Sequence, residues 1–81
     1  MKITVRLFAG AAQQAGLRSV ELELRDGANV ASARDALLEQ LPQLKPLSQV
    51  SLWATETEML DDLSVLKPDS ELAMIPPVSG G

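Results

Sequence analysis

Apolar side chains recur at every second position near both ends of this chain, and that period limits the fold more than any other feature. Ile3, Val5 and Leu7 alternate with Lys2, Thr4 and Arg6, while Leu72 and Met74 alternate with Glu71, Ala73 and Ile75. A strand turns successive side chains to opposite faces, so each run buries one face and leaves the other open. Strands are therefore predicted over residues 1–9 and 71–75. A further run over residues 18–25 sets Val20, Leu22 and Leu24 against Ser19, Glu21 and Glu23, and suits an antiparallel hairpin with the first strand. Between those strands, Ala11–Ala15 predicts a helical turn with Gly16 as its stop. Asp26-Gly27 marks a turn, and Asn29 is a suitable N-cap for a helix from Val30. Val30, Ala33, Leu37, Leu38 and Leu41 then recur at helical spacing until Pro42 ends the run.

The second half is less regular. Residues 43–49 read as a connection. Val50, Leu52 and Ala54 alternate with Ser51, Trp53 and Thr55, which predicts a strand with the first set facing inward. Met59-Leu60 predicts a brief return strand. Leu63, Val65 and Leu66 predict a buried connection, and Lys67-Pro68-Asp69-Ser70 a turn. A sheet with one main helix across one face is an α+β roll. Placing the two most apolar strands, the first and the last, side by side and parallel in the centre lets the helix cover both. That arrangement is the β-grasp: a mixed sheet of four to five strands, with the body over 1–75 and an extended tail over 76–81.

Two aromatic residues have two readings each. Phe8 falls on the polar side of the first run. It is either an apolar contact for a partner or a cover for the core edge just past the strand. Trp53 is either an interface anchor or a core residue whose indole finds an acceptor.

Composition narrows the function. With 81 residues and 46% apolar content, the chain has room for one modest core. It contains neither cysteine nor histidine. That removes thiolate metal sites, Ser-His and Cys-His nucleophiles, and the commonest general base. Asp61 and Asp62 are adjacent acids with no third ligand placed by spacing, so no metal is expected. The net charge of −4 argues against nucleic acid and anionic membrane as partners. Residues 1–45 carry 6 basic and 5 acidic side chains, residues 46–81 only 1 basic and 6 acidic. The acidic half suits a basic docking surface, or simply a solvated face. No apolar run approaches the ~20 residues that span a bilayer, and a cytoplasmic protein is expected.

What remains is the tail, Pro76-Pro77-Val78-Ser79-Gly80-Gly81. Two prolines fix φ and cannot extend a ladder, so they stop the last strand and aim the residues beyond it. Two glycines leave a thin main chain ending in a carboxylate. Six extended residues reach about 20 Å, enough to enter another protein's active site. The Gly81 carboxylate is the expected reactive group, with Gly80, Ser79, Val78, Pro77 and Pro76 presenting it. The other reading of a terminal Gly-Gly is an inert end.

The ending Ile75-Pro76-Pro77-Val78-Ser79-Gly80-Gly81 resembles that of the molybdopterin synthase small subunits, a family of ubiquitin-like sulfur carriers with the β-grasp fold. Val5-Arg6-Leu7-Phe8-Ala9 resembles the family's first strand, and Asn29-Val30 the start of its helix. The resemblance implies that an ATP-dependent activating enzyme adenylates Gly81. A sulfur donor such as a cysteine desulfurase or rhodanese then makes the thiocarboxylate. The large synthase subunit, in a heterotetramer, uses it to convert a cyclic pyranopterin monophosphate to the dithiolene. It implies no cofactor bound by this chain itself, and a docking face built from Phe8, Ile75 and Trp53. Within the same resemblance stand a sulfur carrier for thiamine synthesis or tRNA thiolation, and a ubiquitin-like protein modifier joined to lysines through Gly81.

Overall fold

The first alternating run forms β1, Lys2–Leu7, with Ile3, Val5 and Leu7 buried and the intervening side chains directed outward. In the computed structural model the structure is described for residues 1–77. β1 pairs antiparallel with β2, Ser19–Glu23, placing Val5 opposite Val20 and Ile3 opposite Leu22. The link between them is a full helix, α1, Ala9–Ala15, rather than a single turn. It stops where expected: Gly16 has φ 70° and donates its N–H to the Ala12 carbonyl at 2.9 Å, a left-handed cap that glycine adopts without a Cβ clash.

The predicted main helix is α2, Val30–Gln40. Asn29 caps it, its side-chain oxygen accepting from the Ser32 N–H at 2.9 Å, a contact worth about 1 kcal/mol. Two more of its unpaired first-turn donors are satisfied from a distance. Val30 N–H donates to the Ser64 carbonyl at 3.1 Å and Ala31 N–H to the Asp62 carbonyl at 3.1 Å. The connection after β4 is thus held to the start of α2, and Arg34 reinforces it with two hydrogen bonds to the Asp62 carboxylate at 2.8 and 3.0 Å. Pro42 ends the helix, and the expected connection instead coils into a 3-10 turn, Pro42–Leu44, and a short helix α3, Lys45–Ser48, which bury Leu44 and Ser48.

β3, Leu52–Ala54, pairs antiparallel with the two-residue β4, Met59–Leu60. β5, Glu71–Ile75, pairs parallel with β1 and antiparallel with β3, giving the order β2-β1-β5-β3-β4. The first and last strands are therefore central, as the β-grasp requires. Ile3, Val5, Leu22, Val30, Leu37, Leu44, Leu72 and Met74 are fully buried, each contributing about 1.5–3 kcal/mol of burial free energy. The stability of the fold resides in this seam between sheet and helices.

Other expectations fail as well. Trp53, not Leu52, faces the core: Trp53 is 5% exposed and Leu52 57%. Its indole N–H finds no acceptor among the described residues. Trp53 lies opposite Met74 in the β3–β5 ladder, and the core requires the larger ring on that side. In the connection after β4 only Leu66 is buried, while Leu63 and Val65 are exposed. That segment gives the body its backbone carbonyls at α2 more than its side chains. Among the described residues no helix is long and apolar enough to cross a membrane.

Candidate functional site

β5 positions the tail. As the central strand it is held on both sides, with Leu7 opposite Met74 and Leu52 opposite Ile75. The chain remains packed through Pro76, which is buried, and Pro77 is exposed. The tail thus departs from a strand paired on both sides. Val78, Ser79, Gly80 and Gly81, which carry the predicted reactive end, lie outside the described residues.

The sheet face opposite the helices surrounds that departure point. Phe8 continues the extended course of β1 for one residue, at φ −123° and ψ 155°, before Ala9 turns the chain into α1 at φ 49°. By register this places Phe8 level with Ile75. Phe8 and Ile75, both predicted to dock a partner, are 42% and 37% exposed. Trp53, the third predicted docking residue, lies on the inner face and is not brought to them. Leu52, opposite Ile75, takes the outward place. Met59 joins it from β4, opposite Ala54 and 58% exposed. Sequence reasoning missed Leu52 because it assigned the wrong phase to β3. Met59 gave one usable signal, an apolar side chain in a short strand otherwise flanked by acids.

Beside Phe8, on the same face, is a shallow depression of about 300 Å³ lined by Arg6, Ala54, Thr55, Glu56, Glu71 and Ala73. Arg6 sits 6.0 Å from the Phe8 ring centroid and donates to Glu71 at 3.4 Å. Both charged side chains are about half exposed, so their bond adds little stability and can open for a partner. Among the described residues no group of three metal-ligating side chains exists. The arrangement is an exposed apolar patch on the sheet face near Pro77, the last described residue. It contains no catalytic constellation among the described residues.

The architecture is a ubiquitin-like β-grasp. It superposes on the crystal structure of SAMP1, the small archaeal modifier protein 1 of Haloferax volcanii, with TM-score 0.88 and 31% identity, covering 100% of both chains. It shares the fold of a chain in the complex of subunits 1 and 2 of the molybdopterin-converting factor from Helicobacter pylori 26695, with TM-score 0.69 and 24% identity over 100% of both chains. The chain belongs to the ThiS family, which matches residues 5–81, the tail included. It is 31% identical over 81 residues to the molybdopterin synthase sulfur carrier subunit of Arabidopsis thaliana, covering 100% of this chain and 84% of that one.

Proposed function

We infer that this protein is a cytoplasmic sulfur carrier acting as the small subunit of a molybdopterin synthase. The observation that carries the reading is the family match running to Gly81, on a body whose central strand leads through buried Pro76 to exposed Pro77. The relatives called molybdopterin synthase sulfur carrier subunit support it.

A carboxylate is a poor electrophile, and this chain has no histidine or cysteine with which to activate one. An ATP-dependent partner therefore adenylates Gly81: a carboxylate oxygen bonds to the α-phosphorus and pyrophosphate leaves. A donor persulfide attacks the acyl carbon and AMP leaves; a second thiol then takes the donor sulfur as a disulfide and releases the Gly81 thiocarboxylate. The tail then enters the large subunit, and the sulfur passes to a cyclic pyranopterin monophosphate. Gly80 leaves room for a tunnel to close on main chain, and the prolines direct the tail. Phe8, Ile75, Leu52 and Met59 form the face that docks the large subunit. The Helicobacter pylori complex of subunits 1 and 2 supports a partner of that kind.

Incubation with the activating enzyme, ATP and a sulfur source tests the reading by intact mass. One oxygen should be replaced by sulfur, at the C-terminus. The likeness to small archaeal modifier protein 1 favours a second reading, in which activated Gly81 is joined to lysines of other proteins. Isopeptide-linked adducts that require Gly81, with no thiocarboxylate formed, would select it.

A further inference from the structure

The sheet has two edges of unequal length: β4 runs for two residues and β2 for five. On β2 the ladder to β1 uses alternate residues. Leu7 N–H donates to the Arg18 carbonyl at 2.8 Å and Leu24 N–H to the Met1 carbonyl at 2.9 Å, with Val20 and Leu22 between them in the same phase. Antiparallel ladders alternate, so the N–H and C=O groups of Ser19, Glu21 and Glu23 point away from β1, where no strand lies among the described residues. An open edge of this kind is a template for another chain.

Charge decides which chain. Glu21 and Glu23 are exposed along the edge, Glu21 meeting Lys2 of β1 at 3.5 Å in an exposed pair that a competing cation can replace. Beside it, between the end of β2 and α2, a groove of about 520 Å³ gathers Glu23, Asp26, Asp35 and Glu39 against a single cation, Arg25. Among the described residues, Glu23, Asp35 and Glu39 have no ion-pair partner. A strand laid on β2 would send alternate side chains to two carboxylate-lined surfaces. An acidic strand would be repelled, and so would β2 of a second copy.

We propose that the β2 edge takes an extended lysine- or arginine-rich segment of a protein partner as an added strand. Its backbone bonds to Ser19, Glu21 and Glu23, and its cations reach Glu21, Glu23, Asp35 and Glu39. β1 separates this edge from β5, so the segment and the tail are engaged independently. The sulfur-carrier reading is not needed for this site.

The probe is a capped peptide in which pairs of adjacent lysines alternate with threonine, so that both faces of the added strand carry cations, titrated into the isotope-labelled full chain and followed by NMR. Binding should shift the amides of residues 19–23 and slow proton exchange at Ser19, Glu21 and Glu23. The same peptide with glutamate for lysine should not bind. N-methylating the peptide bonds that face β2 should weaken binding roughly tenfold, since main-chain bonds are lost while every charge stays. Glu21→Pro should weaken it roughly tenfold more than Glu21→Ala, because the proline removes an outward donor and leaves the β1 ladder intact. The Val20 and Leu22 amides report whether that variant is folded. Failure of the lysine peptide to bind, equal binding of the glutamate peptide, or indifference to N-methylation on the unaltered protein would each overturn the proposal.

Discussion

The two faces of the sheet are made by alternate residues of the same strands, yet they have opposite fates. Inward, Ile3, Val5, Leu7, Val20, Leu22, Trp53, Leu72 and Met74 are all buried. Outward, at the end where the tail departs, Phe8, Leu52, Met59 and Ile75 remain exposed beside Arg6 and Glu71. One face supplies stability, and the other contributes little to it and stays open. Substitutions on the two faces should therefore separate folding from partner contact.

The inner face offers the largest effects. Leu72→Ala and Trp53→Ala should each lose about 2–5 kcal/mol in urea unfolding, a large share of a small domain's stability. If Trp53→Ala instead left stability intact and weakened partner binding, the two faces would have been assigned the wrong way round. On the outer face, Phe8→Ala should move unfolding by less than about 0.5 kcal/mol. It should weaken association with a large synthase subunit by about 1–2 kcal/mol, read by calorimetry. Equal losses in both measurements would erase the distinction.

Away from both faces, smaller effects are expected. Gly16→Ala should cost about 1 kcal/mol, because φ of 70° is strained for alanine although open space surrounds the site. The Arg34–Asp62 bond should contribute least. Hydrogen bonding from the Arg34 guanidinium holds the Asp62 carboxyl below its ordinary range. A carboxyl with a depressed folded-state value stabilises fully above its unfolded value and loses that contribution as pH falls through the folded one. The small stability gap between wild type and Asp62→Asn should therefore close in strong acid, and added salt should narrow it at neutral pH.

The strands and helix specified by nearby residues are readable from the sequence. β1 and β2 announce their phase because only one set of alternate positions is apolar; β5 does so through its larger inward pair, Leu72 and Met74, and through Glu71 on the other set, and α2 carries both an Asn29 cap and a Pro42 stop. β3 is readable as a strand but not in phase. Val50, Leu52 and Ala54 outnumber Trp53, and the packing against Met74 that reverses the choice comes from a strand far along the chain. Leu63 and Val65 mislead for a related reason: their segment is fixed by backbone bonds to α2, which hydropathy does not report. Of the exposed apolar face proposed to dock a partner, Phe8 and Ile75 follow from strand phase, while Leu52 and Met59 need the register of β3. The reading of the tail rests on proline and glycine chemistry, and Val78, Ser79, Gly80 and Gly81 lie outside the described residues.

Removing Gly81 alone tests the central claim most directly, with thermal unfolding and intact mass after activation measured on the same sample. The account predicts an unchanged unfolding midpoint and no thiocarboxylate. Persistence of the sulfur-containing species, or a large drop in the midpoint, would contradict it.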